Sequence, residues 1–342
     1  MAKIYRGTKG NLQFLAQRLR AGELVAVPSE TVYGLAADAL SASACRKIFR
    51  AKGRPPSDPL IVHVGSVGQA GSVAELSDAA RQLMRKFWPG PLTMVLPKKP
   101  AVPEVVTSGQ PSVAIRMPAH PLFLKLLAET GTPLAAPSAN PFGYVSPTTA
   151  QHVQDGLGKR IKYILEGGAS EVGVESTIVD LRDPRRPRLL RPGKITKADL
   201  ERVLGVKVEL VPTPDSTAAM LAPGMMLRHY SPHTPVIAHR KLSLKRALSG
   251  DAREAWVFLT RPTAAKAAKN IFGWAETSSS RQVAHNLFAL LRKLDGQSWK
   301  NIHVECAPRG GLGDAINDRL TRAAAKTGTP TPYKGQGKGL ST

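Results

Sequence analysis

Long apolar runs are missing from this chain of 342 residues. No stretch approaches the ~18–20 uninterrupted apolar residues that a membrane-spanning helix needs, so none is expected. Met1 to Arg6 turns polar at once, which leaves no apolar region for a secretory leader. Cysteine is scarce: Cys45 and Cys306 stand far apart and in no metal-ligand spacing. That argues against a disulfide scaffold or a zinc ribbon and fits a reducing compartment, so a cytoplasmic protein is expected. Aromatic residues make up only 5% of the chain, and no RNA-binding signature is recognisable. Both facts count against a dedicated RNA-binding module. Acid is short as well. Asp and Glu total 25 against 48 Lys and Arg, for a formal charge of +23. Such an excess favours polyanions, whether nucleotides, RNA or acidic lipid, without choosing among them, and some basic proteins are merely basic.

Several chemical signatures are also missing. The phosphate cradle G-x-x-x-x-G-K-[ST] is absent, and Gly311 and Gly313 lack the third glycine of a dinucleotide fingerprint. There is no H-E-x-x-H, no C-x-x-C and no G-x-S-x-G elbow. A nucleotide site would have to be built in another way.

What is present is a chain long enough for two domains, with 42% apolar residues to fill their cores. Leu12, Leu15, Ala16 and Leu19 recur at helical spacing, and Leu24 to Val27 reads as a buried strand. Short strands and helices then alternate to about residue 209, so an α/β domain is expected over 1–209. Pro212, Pro214, Pro223, Pro232 and Pro235 break the pattern, which marks 210–235 as a linker. A smaller α/β domain is expected over 236–327, followed by a Gly- and Lys-rich tail over 328–342.

Four segments of the first domain carry polar residues that core packing does not require. Pro28 to Leu35 follows a buried strand, where ligands of α/β sheets bind, although an ordinary turn at Gly34 would look the same. In Lys52 to Val64, two cations flank Gly53 in a proline-stiffened loop. Lys52 and Arg54 suit a polyphosphate, or they cap the preceding helix. His63, at the end of an apolar strand, is either a packing residue or a substrate contact. Arg116 shares an alternating strand face with Ser112 and Ala114, and needs either a structural carboxylate or a ligand's. Finally, Ser138 and Asn140 sit on a stiff loop before Ser146-Pro147, which reads as the N-cap and first residue of a helix able to face a phosphate.

The same segments resemble the threonylcarbamoyl-adenylate synthase family, the YrdC-like proteins. The resemblance lies in Pro28 to Asp38, Ala51 to Val64, Phe87 to Leu96, Val113 to His120, Pro137 to Asn140 with Ser146 to Ala150, and Gly173 to Asp180. Ala222 to Pro232 and Ala315 to Ala324 are similar to the linker and C-terminal domain of its long members. The resemblance implies a twisted mixed sheet with helices, plus a smaller Rossmann-like α/β domain. It implies synthesis of threonylcarbamoyl-AMP from ATP, L-threonine and bicarbonate, with Mg2+ on the phosphates and pyrophosphate released, for modification of a tRNA adenosine. Separate transfer proteins are implied as downstream partners, and tRNA is a candidate partner of the basic surface. Lys52 and Arg54 would hold the ATP phosphates and stabilise their charge during reaction. Asp58, Ser112, Ser138, Asn140, Ser146, Arg191 and Tyr230 would be the other nucleotide contacts, although many members carry asparagine in place of Asp58. Thr31, His63, Arg116, Ala136 and Ser176 would surround threonine, with Arg116 on its carboxylate. The linker, with Arg228 and Tyr230, would close over ATP. A non-catalytic RNA-binding protein is the alternative that the charge supports.

Overall fold

The computed structural model describes residues 1–211, 229–265, 267–277 and 279–325. Arg228, most of the expected linker and the expected tail lie outside these residues. Among them, eleven strands join one mixed sheet. Its central run is Gly34–Asp38, Leu134–Ala135, Ile61–His63, Ser112–Arg116, Leu92–Pro97 and Thr177–Asp180. Ile61–His63 and Ser112–Arg116 are parallel, with Ile61 opposite Ala114 and His63 opposite Arg116. Because side chains alternate, the register that buries Val62 and Ile115 on one face puts His63 and Arg116 side by side on the other. A slip of one residue would part them.

The helix Ala42–Lys52 shows how local sequence sets up the site. Ser41 caps its start by accepting from the Ala44 N–H, and Ala44, Cys45, Ile48 and Phe49 form its buried stripe. Gly53, at φ 67°, takes the left-handed turn that ends it. The backbone N–H groups of Gly53 and Arg54 satisfy the carbonyls of Arg50 and Phe49. The side chains of Lys52 and Arg54 are therefore not needed as caps: Lys52 reaches the Ser138–Asn140 loop, and Arg54 braces its own loop at Asp58 and Pro59.

A second sheet of four parallel strands runs Val236–His239, Asn301–Glu305, Glu254–Thr260 and Ile271–Ala275. The helices Ser280–Asp295 and Leu312–Ala324 supply Leu287, Phe288, Leu291, Ile316 and Leu320 to its core. That core also takes in Val32, Val145, Val172 and Val174 from loops beside the first sheet, and Tyr230. The two sheets are thus joined by shared apolar packing. At Gly173, with φ 80°, the backbones approach so closely that a Cβ would collide with the Ala284 carbonyl.

Candidate active site

Arg116 is held at the end of its strand by three anchors. Its Nε donates to the Gly90 carbonyl at 3.2 Å and its Nη1 to Thr31 Oγ1 at 3.0 Å, while Nη2 lies 2.5 Å from Glu30 Oε1. The structure thus supplies the carboxylate partner and still leaves guanidinium N–H groups for a ligand, since five donors are available. The loop bearing Glu30 and Thr31 is shaped by Ser29, whose Oγ accepts from the Thr31 and Val32 N–H groups, both at 3.2 Å. His63, beside Arg116, packs its ring 5.2 Å from that of Phe123. Burial, aided by the Arg116 charge, pushes its pKa down to about 3, so it is a neutral imidazole at neutral pH. Gly34 lets the opposite loop come close: a Cβ there would stand 3.2 Å from Ala136 Cβ. Ala136, Pro137 and Ser138 line the far wall.

Toward the other end, the same cavity becomes cationic. Arg54, Arg191, His229 and Tyr230 line it with Ser138, Glu175 and Ser176. Arg54 pairs with Asp58 at 2.9 Å and donates to the Pro59 carbonyl at 2.7 Å. Arg191 donates to the Ser176 carbonyl and hydroxyl, at 3.0 and 3.1 Å. Lys52 lies behind this wall, its Nζ on the carbonyls of Ser138 and Asn140 at 2.6 and 2.5 Å. Burial, then the nearby Arg54 charge, holds Lys52 well below the usual lysine range. Burial, then Arg54 and Lys52, likewise keeps His229 neutral. The basic groups Lys52, Arg54 and Arg191 gather here with the acids Asp58 and Glu175, a basic surplus in which an anion is stabilised and a further cation is not.

Of the expected residues, the cavity wall brings together Arg54, Ser138, Arg191 and Tyr230 with Thr31, His63, Arg116, Ala136 and Ser176. Lys52, Asp58, Ser112, Asn140 and Ser146 are buried but are not among its lining residues. Asn140 shapes its loop by donating to the carbonyls of Pro141 and Tyr144, both at 2.8 Å. Ser112 lies on the Arg116 face, four residues back along the strand. Ser146 does not cap a helix. The helix here is Ala150–Leu157 and its cap is Thr149, which accepts from the His152 N–H. Pro147 instead stays outside it, with its carbonyl accepting from the Tyr33 N–H. Ser146 Oγ is turned to Glu175, at 2.6 Å.

Glu30, Glu175 and His229 were not singled out from the sequence. Each is the immediate neighbour of a residue that was, namely Thr31, Ser176 and Tyr230. Composition offered no sign of Glu175's partner, Arg319, which lies 144 residues away in the chain and pairs with it at 2.9 Å.

Comparison with known proteins agrees with this fold. A family model described as "Telomere recombination", for the Sua5, YciO and YrdC proteins, matches residues 17–193. A second, described as the C-terminal domain of threonylcarbamoyl-AMP synthase, matches residues 195–325. The chain is 40% identical to the threonylcarbamoyl-AMP synthase of Pyrococcus abyssi (strain GE5 / Orsay), over 92% of this chain and 94% of that one. It is 41% identical to that of Bacillus subtilis (strain 168), over 90% and 91% of the two chains. The crystal structure of P. abyssi Sua5 complexed with L-threonine matches with a TM-score of 0.87 at 38% identity, over 95% of this chain and 97% of that one.

Proposed function

This chain belongs to the Sua5/YciO/YrdC family, and from that premise we propose that it makes L-threonylcarbamoyl-AMP from ATP, L-threonine and bicarbonate, releasing pyrophosphate. The observation that carries the reading is one cavity lined by two chemically distinct sets of residues, a fixed arginine beside a neutral histidine, and Arg54 and Arg191 with His229 and Tyr230. Threonine's carboxylate meets the Arg116 guanidinium, which binds carboxylates through parallel hydrogen bonds. Thr31, His63, Ala136 and Ser176 enclose the rest of the amino acid, and the neutral His63 ring can accept a hydrogen bond from its amine or hydroxyl.

The amine adds CO2 derived from bicarbonate and loses a proton, giving a carbamate. A carbamate oxygen then attacks the α-phosphate of ATP, and the bond to the β-phosphate oxygen breaks to release pyrophosphate. No protein nucleophile takes part. Lys52, Arg54 and Arg191 offset the charge that builds on the phosphates, with Asp58, Ser112, Ser138, Asn140, Ser146 and Tyr230 placing the nucleotide. Magnesium would arrive with ATP and would offset part of the phosphate charge. The carbamate is labile, and enclosure between the loops and Tyr230 shields it from water.

The product serves a cytoplasmic transfer to a tRNA adenosine, carried out with separate proteins. The basic surface suits tRNA as a neighbour, but the two-ended cavity does not require it. No helix among the described residues is long and apolar enough to cross a membrane. The test is pyrophosphate release by the purified protein with Mg2+ and ATP, omitting threonine and bicarbonate in turn. Release that needs both, with an adenylate of threonylcarbamoyl mass, is the expected result; release indifferent to threonine would sink the reading.

A further inference from the structure

The wall of the cationic end is completed from the smaller domain. Arg319, on the Leu312–Ala324 helix, has a fully buried side chain that reaches across to Glu175. Its Nε donates to Glu175 Oε2 at 2.9 Å, and its Nη1 to the carbonyl of Pro192 at 2.9 Å, next to Arg191. The other oxygen of Glu175 accepts from Ser146 Oγ at 2.6 Å. The Tyr230 ring centre lies 5.5 Å from the guanidinium carbon. The Ser146 loop is held from the same domain as well, because Arg292 donates to the carbonyls of Ser146, at 3.2 Å, and Val145.

We propose that Arg319 is a positioning residue for the nucleotide. Glu175 is a buried acid in a wall that must receive a polyphosphate. Left to itself, its negative charge would oppose that ligand across a medium of low polarity. Arg319 neutralises it while its Nη1 also meets Asp318 at 2.8 Å, an acid whose other oxygen is held by Arg322 at 3.0 Å, and with Glu175 fixed, the Ser146 hydroxyl is held in one orientation. The smaller domain therefore acts on the site by an electrostatic contact as well as by apolar packing. This inference rests on the reading of the cationic end as an ATP site.

A simple adhesive role for the pair predicts something different, equal damage to both substrates. The experiment is direct titration of full-length variants with Mg–ATP and, separately, with threonine. Arg319→Gln is expected to weaken ATP by about tenfold or more while threonine changes by less than about twofold. Adding Glu175→Gln to that variant is expected to restore most of the lost ATP affinity, because the uncompensated charge is gone. Unchanged ATP affinity in Arg319→Gln, equal weakening of both ligands, or a double variant worse than the single would each overturn the proposal. If Arg319→Gln does not fold, Arg319→Lys carries the test. It loses the fork but keeps the charge beside Glu175, which is what the proposal uses, so it should hold ATP within about threefold of the parent, and a folded Lys variant weakened tenfold or more would overturn it. Wild-type protein that binds ATP but releases no pyrophosphate would remove the proposed reaction and leave the role of Arg319 to be read from the same titrations.

Discussion

The two sheets each carry a buried polar cluster, and they differ in how their charges close. In the smaller sheet His303 stacks on Trp256, with ring centres 4.0 Å apart and planes at 7°. One of its ring nitrogens hydrogen-bonds His239 at 2.9 Å, and the other lies 3.4 Å from Glu254, which in turn accepts from Asn301 at 3.0 Å. His239, His303, Glu254 and Asn301 face one another there, away from the cavity, while Trp256 Nε1 is buried without a hydrogen-bond partner among the described residues. In the larger sheet Lys52, Arg54 and Arg191 converge with Asp58, Glu175 and Asp318 as the nearby acids, and two neutral histidines, His63 and His229, sit among charges that disfavour a further proton. Burial and polarity are common to both regions. What distinguishes the candidate site is that its buried charges face a cavity, where Arg54, Arg116 and Arg191 stand with the single acid Glu175 among the lining residues, a surplus that suits an anionic ligand.

The strongest way to break this contrast is Arg116→Ala. It removes the carboxylate anchor and leaves Glu30 buried without its cation, a loss worth roughly 3–5 kcal/mol where a buried pair is broken. The expected fall in kcat/KM for threonine is about a thousandfold in a pyrophosphate-release assay. Arg116→Lys should recover little of it, since an ammonium lacks the planar fork. Next is Lys52→Ala, expected to lower kcat/KM for ATP by about a hundredfold. A subtler sign of the same crowding should be visible in the wild type. Because burial and Arg54 lower the Lys52 pKa, phosphate binding raises it again and draws in a proton. Calorimetric ATP binding above neutral pH should then show an enthalpy that depends on the buffer's ionisation heat. That dependence should vanish in Lys52→Arg, because a guanidinium stays protonated.

A weaker effect should appear in stability against pH. His63 has a folded pKa of about 3 against 6.5 when free, so over that window the unfolded chain binds the extra proton. Its contribution is fully present above about pH 6.5 and is lost as pH falls toward 3. Urea midpoints should drop between pH 7 and 5, and His63→Gln should flatten the drop. The smallest effect on activity is expected from His303→Ala. It removes a stacked, hydrogen-bonded ring and should cost about 1–3 kcal/mol of stability in a urea titration, while kcat/KM moves by less than about twofold. A large loss of activity there would erase the contrast between the sheets.

Local periodicity located most of the elements around the site. The helix that precedes Gly53 and the alternation that puts Arg116 beside Ala114 were both readable, because each depends on residues within one turn or one strand. Ser146 shows where such reading fails. Ser-Pro is a good helix start in isolation, but Thr149 three residues later is an equally good cap, and Pro147 is already engaged by Tyr33 from another loop. Arg319 shows a different limit. Its helix was expected, but nothing in an arginine on an amphipathic helix says that it will be buried against an acid on the other domain. Such pairings depend on how two cores dock, which no local pattern encodes.

The anchoring of Arg116 has one more consequence. A solvated arginine carries about 2 kcal/mol of rotamer freedom that a ligand must extinguish on binding. Here Gly90, Thr31 and Glu30 have already frozen the side chain as part of folding. A small amino acid, which has few atoms with which to gain affinity, therefore meets a receptor that gives up little disorder to greet it. With Arg116 in its proposed role on the threonine carboxylate, the same rigidity would make the site a ruler: a guanidinium that cannot swing fixes where the amine must lie, and a longer or shorter backbone between carboxylate and amine would miss the reacting phosphorus.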